Sequence, residues 1–162
     1  MLKFVVLRAV AVVATVATCS VAFAQAPAVE KKNFHYNEWT KGRFAEAVTV
    51  TGPAKWIYLA GVGAEAEADG KILHLGDFMG QCRYAYEKIK KVLAKQGATM
   101  ADIVKLTSYV VDIRDRDALN KCRGEVFAGG PMPGHTFLAI SQLARPGMLL
   151  EMDVVAAVPA GK

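Results

Sequence analysis

Cysteine is scarce in this chain, with 3 among 162 residues, and none falls in a Cys-x-x-Cys pair. Histidine is equally rare: His35, His74 and His135 stand far apart, and no His-x-x-x-His or His/Cys cluster marks a metal site. No serine sits in a nucleophile-elbow pattern. The pair Gly61-x-Gly63 lacks the further glycines, the lysine and the hydroxyl of a phosphate-binding loop, and reads as flexible backbone. Charge of one sign is also limited. The formal net charge of +5 falls to +3 without Lys3 and Arg8, too little to argue for nucleic acid. The densest basic group, Lys88, Lys90, Lys91 and Lys95, reads as one solvated helix face. Metal chemistry, serine hydrolysis, nucleotide hydrolysis and RNA cleavage are all disfavoured.

The amino terminus is informative because acids are missing from it until Glu30. Lys3 and Arg8 precede an apolar run over residues 9–17, and Ala22-Phe23-Ala24 places small residues where a signal peptidase reads. The run is short of the roughly 20 apolar residues that a membrane span requires. Residues 1–24 therefore read as a cleaved signal peptide. The mature protein is expected to be periplasmic or secreted, without a stable membrane anchor. Cys82 and Cys122 would survive cleavage. An oxidising compartment permits a bridge between them. Both also fall on apolar helical stripes, where cysteine behaves as a small hydrophobe, and two buried thiols are the favoured reading.

Residues 25–43 read as a polar tether followed by an irregular arm, with Phe34, Tyr36 and Trp39 among charges and no clean period. The domain is expected over residues 44–162. Strands are predicted over residues 47–51 and 55–60, hairpin-paired through Gly52-Pro53. A helix follows, capped by Asp77 and ended by Gly97, with Phe78, Cys82, Ala85, Ile89 and Leu93 at helical spacing. Residues 104–113 read as a strand, and a second helix starts at Asp115 with Ala118, Leu119, Cys122 and Val126 inward. Strands over 135–140 and 149–158 complete an α+β order, β-β-α-β-α-β-β, with two helices on one face of a mixed sheet.

Two helices cannot cover both faces, yet both faces carry apolar residues. Leu106, Ser108 and Val110 alternate with Thr107, Tyr109 and Val111, and Phe137 with Leu138. A lone chain would leave a large apolar patch in water, so self-association is expected.

Residues 102–128 (DIVKLTSYVVDIRDRDALNKCRGEVFA) and 149–156 (LLEMDVVA), with Gln81 and Gly97 bounding the first helix, resemble the RidA/YjgF family of enamine/imine deaminase-like proteins. The resemblance spans roughly residues 44–158. It implies a chorismate-mutase-like (YjgF) fold and a ring-shaped homotrimer with small-molecule pockets between subunits. The implied activity is hydrolysis of a C=N bond to a carbonyl compound and ammonia, without metal or organic cofactor.

Glu151 matches the glutamate that positions water, and Asn120 the pocket asparagine. Elsewhere the chain departs from the family. His135 occupies the position of the arginine that clamps a carboxylate, Phe137 that of a small residue, Phe44 that of a tyrosine and Ala60 that of a serine. His135 is open to two readings. It can work with Glu151 as an acid–base pair, its pKa raised by the carboxylate, or it can be a hydrogen-bonded, inert residue. The chain then reads as an imine or enamine deaminase of altered substrate class, or alternatively as a non-catalytic homotrimer that binds a small molecule.

Overall fold

The computed structural model describes residues 29–161. The signal-peptide reading lies outside the described residues. Strand β1 (Glu30–Phe34) pairs antiparallel with β2 (Ala47–Thr51) in a two-stranded ribbon. The main sheet has four strands: β3 (Ala54–Val62), β4 (Ile103–Val110), β5 (Gly134–Ala139) and β6 (Leu150–Pro159), in the spatial order β3-β6-β4-β5. Helix α1 (Phe78–Lys95) joins β3 to β4, and α2 (Arg116–Val126) joins β4 to β5. Strand β6 runs antiparallel to both β3 and β4, so β3, β4 and β5 share one direction.

Two expectations about the strands change. The stretch assigned to a tether and irregular arm contains β1, whose charged, mostly exposed residues carry no alternating signal. The ladder with β2 and the ion pair Lys31 Nζ–Asp102 Oδ1 (2.6 Å) hold it instead. Strand β2 is consequently not the hairpin partner of β3. It belongs to the ribbon, and β3 spends its hydrogen bonds on β6.

Burial along β4 and β6 alternates strictly over their central residues. Leu106, Ser108, Val110, Leu150, Met152 and Val154 lie under the helices, against Cys82, Ala85, Ile89, Leu93, Leu119 and Cys122. Asp77 caps α1 by accepting the Gly80 N–H at 2.9 Å, and Gly97 ends it at φ 74°. Cys82 and Cys122 are not two free thiols. Their sulfurs are bonded, with Cα atoms 6.5 Å apart, and the bond ties α1 to α2. Both stripes face one core, so the residues that read as small hydrophobes also meet each other.

Gln81, fully buried on α1, reaches the entry to β6. Its Nε2 donates to the Gly147 carbonyl (2.8 Å) and its Oε1 accepts the Leu149 N–H (2.9 Å). Lys88 is likewise no solvated side chain. It donates to the Gly63 and Glu65 carbonyls and to the Glu65 carboxylate, at 2.8–3.0 Å. These two side chains anchor the segments on either side of Glu151.

The opposite face of the sheet is uncovered in the single chain. Trp56 is 46% exposed, Tyr58 73% and Leu138 42%, with Thr107, Tyr109, Asp153 and Val155 between them.

Candidate functional site

The sheet's pleat divides the candidate residues into two groups. Glu151 stands opposite Tyr109 in the β4–β6 ladder, on the uncovered face, with Asp153 beside it and Ala60 on the neighbouring strand. His135 and Phe137 stand opposite Leu106 and Ser108, whose side chains lie on the covered face. Asn120 is exposed on α2, and Phe44 packs edge-on against Trp39 with ring centroids 5.5 Å apart. A single chain therefore does not bring Glu151 together with Asn120, His135, Phe137 or Phe44.

Glu151 is half-buried, and burial, then Glu65 and Asp153, pushes its carboxyl pKa up. Space for that carboxyl comes from Gly61, which the sequence presented as mere flexible backbone. A Cβ on Gly61 would overlap Glu151 Oε1 and crowd its Cδ. The irregular register of β3 between Leu59 and Val62 accommodates this glycine. Gly61→Ala should therefore displace the Glu151 carboxyl while leaving the core untouched. The expected result is an unchanged circular-dichroism spectrum and, in a catalytic protein, a fall in kcat of roughly tenfold or more, a loss that about 1.4 kcal/mol would produce.

His135 is not an acid–base partner of Glu151 within the chain. The two point to opposite faces, and its pKa moves the other way. Burial, with Arg123 and Lys105 adding repulsion, pushes the imidazole down to about 3. Arg123 Nη1 contacts His135 Nδ1. A guanidinium can only donate, so Nδ1 is bare and the ring proton sits on Nε2, directed at Ser108 Oγ 3.0 Å away. The ring is neutral from neutral pH down to about 3. Between an unfolded value near 6.5 and that folded value, the unfolded chain binds the extra proton. His135 hence stabilises the fold above about pH 6.5, and this contribution is lost as pH falls toward about 3. NMR of the folded protein should show His135 ring shifts that stay constant from pH 8 to 5, roughly the range in which free histidine titrates. A titration midpoint near 6.5 would contradict the assigned environment.

Arg123 is the residue that sequence reasoning missed. It is 4% exposed on α2, with Nη2 donating to the Arg43 carbonyl (2.9 Å) and lying 3.5 Å from Asn120 Oδ1. The available signal was its position four residues after Leu119 and one after Cys122, on the inward stripe. A charge there was passed over because basic residues on helices usually face water.

The comparisons agree with this architecture. The family described as Endoribonuclease L-PSP matches residues 36–158. A RutC family protein of Pyrococcus abyssi is 30% identical over 115 residues, covering 71% of this chain and 86% of the relative. A RutC family protein of Escherichia coli, YjgH, is 31% identical over 84 residues, or 51% of this chain and 63% of the relative. Among solved structures, the Rid family protein YyfB of Yersinia pestis superposes with a TM-score of 0.70 at 26% identity, covering 82% of this chain and all of that one. RidA from Psychrobacter superposes at 0.59 with 20% identity, which speaks for the fold. The fold and site define a small α+β protein of the Rid type. The chain belongs to the RidA/YjgF family.

Proposed function

We propose that this protein is an exported imine or enamine deaminase whose site forms between the subunits of a homotrimer. The observation that carries the reading is Glu151. A carboxyl whose pKa is pushed up, resting over Gly61 on the sheet face that no helix covers, is suited to take a proton from water. The water oxygen then bonds to the imine carbon as C=N becomes C–N, and the proton held by Glu151 passes to nitrogen; a second proton moves from the new hydroxyl to nitrogen as C=O forms and the C–N bond breaks, releasing ammonia and a carbonyl compound. The exposed Trp56, Tyr58 and Leu138 favour a second copy as the cover for that face, since so large an apolar patch is costly in water. The Cys82–Cys122 bond supports export, because such bonds persist in oxidising compartments.

RNA cleavage, suggested by the family name Endoribonuclease L-PSP, is the weaker reading. Lys31, Lys88 and Lys91 are engaged with Asp102, Glu65 and Glu67 and so are not free to track a phosphate backbone. The deciding assay generates 2-iminopropanoate or 2-iminobutanoate with an amino-acid oxidase and follows semicarbazide trapping. Purified protein should suppress trapping by speeding hydrolysis. Unchanged trapping across a panel that includes imines lacking a carboxylate would overturn the reading.

A further inference from the structure

Two glycines at the end of β3 each leave room for a carboxyl. Gly61 lies beneath Glu151, and a Cβ on Gly63 would meet the Leu150 carbonyl oxygen at 3.1 Å and Glu65 Oε2 at 3.2 Å. Leu150 directly precedes Glu151, so Glu65 brings its carboxyl to the stretch of β6 that carries the Glu151 side chain. The two carboxyls are held differently. Glu65 Oε2 accepts the Gly63 N–H at 3.2 Å and an N–H of Lys88 Nζ at 3.0 Å. The same ammonium donates to the Gly63 (3.0 Å) and Glu65 (2.8 Å) carbonyls, so it fixes both the carboxyl and the loop that bears it. Burial opposes the Glu65 charge, but its own N–H, Lys88 and the Gly63 N–H outweigh it and hold the carboxyl below the usual glutamate range. Glu151 moves the other way, raised by burial, then by Glu65 and Asp153. Neighbouring carboxyls driven apart in this way divide into one that stays charged and one that exchanges a proton.

We propose that Glu65, pinned by Lys88, is a positioning residue that makes Glu151 the proton-exchanging carboxyl of the site. Its effect on turnover rests on the deaminase reading above; the coupling of the two carboxyls does not. A fixed negative charge beside Glu151 disfavours its ionised form and makes it a stronger base once ionised. The other titratable groups facing Glu151 are Asp153 on its own strand and Tyr109 opposite it on β4. Those two are joined, the Tyr109 hydroxyl donating to Asp153 Oδ2 at 2.9 Å. Lys88 of α1 reaches the cluster through Glu65. Asp153 repels with the same sign, so removing the Glu65 charge removes part of the effect and not all of it.

The test follows the carboxyl carbons of Glu65 and Glu151 by NMR as the pH of the purified protein is lowered. In the wild type Glu151 should take up its proton at higher pH than Glu65. Glu65→Gln keeps the size of the side chain and an acceptor for the Gly63 N–H, and should move the Glu151 midpoint toward lower pH. Glu65→Asp, which keeps the charge, should move it less. The profile of kcat against pH should follow. Glu65→Gln should turn over imine severalfold faster than wild type on the acid limb and more slowly on the plateau, so that the two profiles cross. A purely structural role would lower both limbs together, and that result would overturn the inference. So would a Glu151 midpoint that Glu65→Gln leaves unmoved. Glu65 protonating before Glu151 in the wild type would overturn it with no variant needed, which decides the matter even where Glu65→Gln fails to fold. A shifted midpoint without imine turnover would sustain the coupling and remove the deaminase reading. Turnover with an unmoved midpoint would do the reverse.

Discussion

Glu151→Gln should lose roughly 10²–10⁴ of imine-hydrolysis rate, the range for removing a positioned acid–base group. The amide keeps the size of the carboxyl and fits over Gly61, but cannot accept a proton from water. The wild-type rate should also depend on pH through this group. In the proposed reaction Glu151 would act in its ionised form, and burial, Glu65 and Asp153 hold its pKa above the ordinary glutamate value. Activity should therefore rise with pH through that raised pKa and fall toward acid. The measurement is kcat against pH for wild type and variant, with sedimentation to show that both share one assembly state. A variant with wild-type kcat would remove Glu151 from the chemistry, whatever the protein binds.

Reducing the Cys82–Cys122 bond, or replacing both residues by alanine, should cost about 3–4 kcal/mol of folding stability. The bond closes a sequence separation of 40 residues, and in the chain-entropy account a loop of that size restricts the unfolded chain by about this amount. The corresponding fall in Tm is on the order of 10 °C for a domain of this length. Function should suffer too, by a route the sulfurs do not touch directly. Cys122 lies between Asn120 and Arg123 on α2, so releasing α2 from α1 loosens the helix that presents both. Thermal melts with and without reductant, beside intact mass under non-reducing conditions, check the prediction. An unchanged Tm in reductant would show that core packing alone holds the helices together.

The departures from the sequence reading share one cause. Periodicity reports how a segment is buried, not which segment it pairs with. The stripe of Phe78, Cys82, Ala85 and Ile89 announced α1, and β-branched alternation announced β4, because both patterns are local. The partner of β2 could not be found this way, since β1 is charged and largely exposed and leaves no pattern. The pairing of Cys82 with Cys122 and the burial of Arg123 against His135 were hidden for the same reason. Each depends on where two distant segments meet.

The sequence by itself determined the order of β2 to β6 and of the two helices, the apolar content of both sheet faces, and the two halves of a familiar motif around Asn120 and Glu151. Hydrophobic spacing and motif residues are properties of a linear string. Only the tertiary structure decided that Glu151 and His135 point to opposite faces, that Gly61 makes room for a carboxyl, and that Arg123 of α2 is buried against His135 of β5. Those relations arise when the sheet's pleat and the packing of α2 bring together residues far apart in the chain, and no local pattern encodes them.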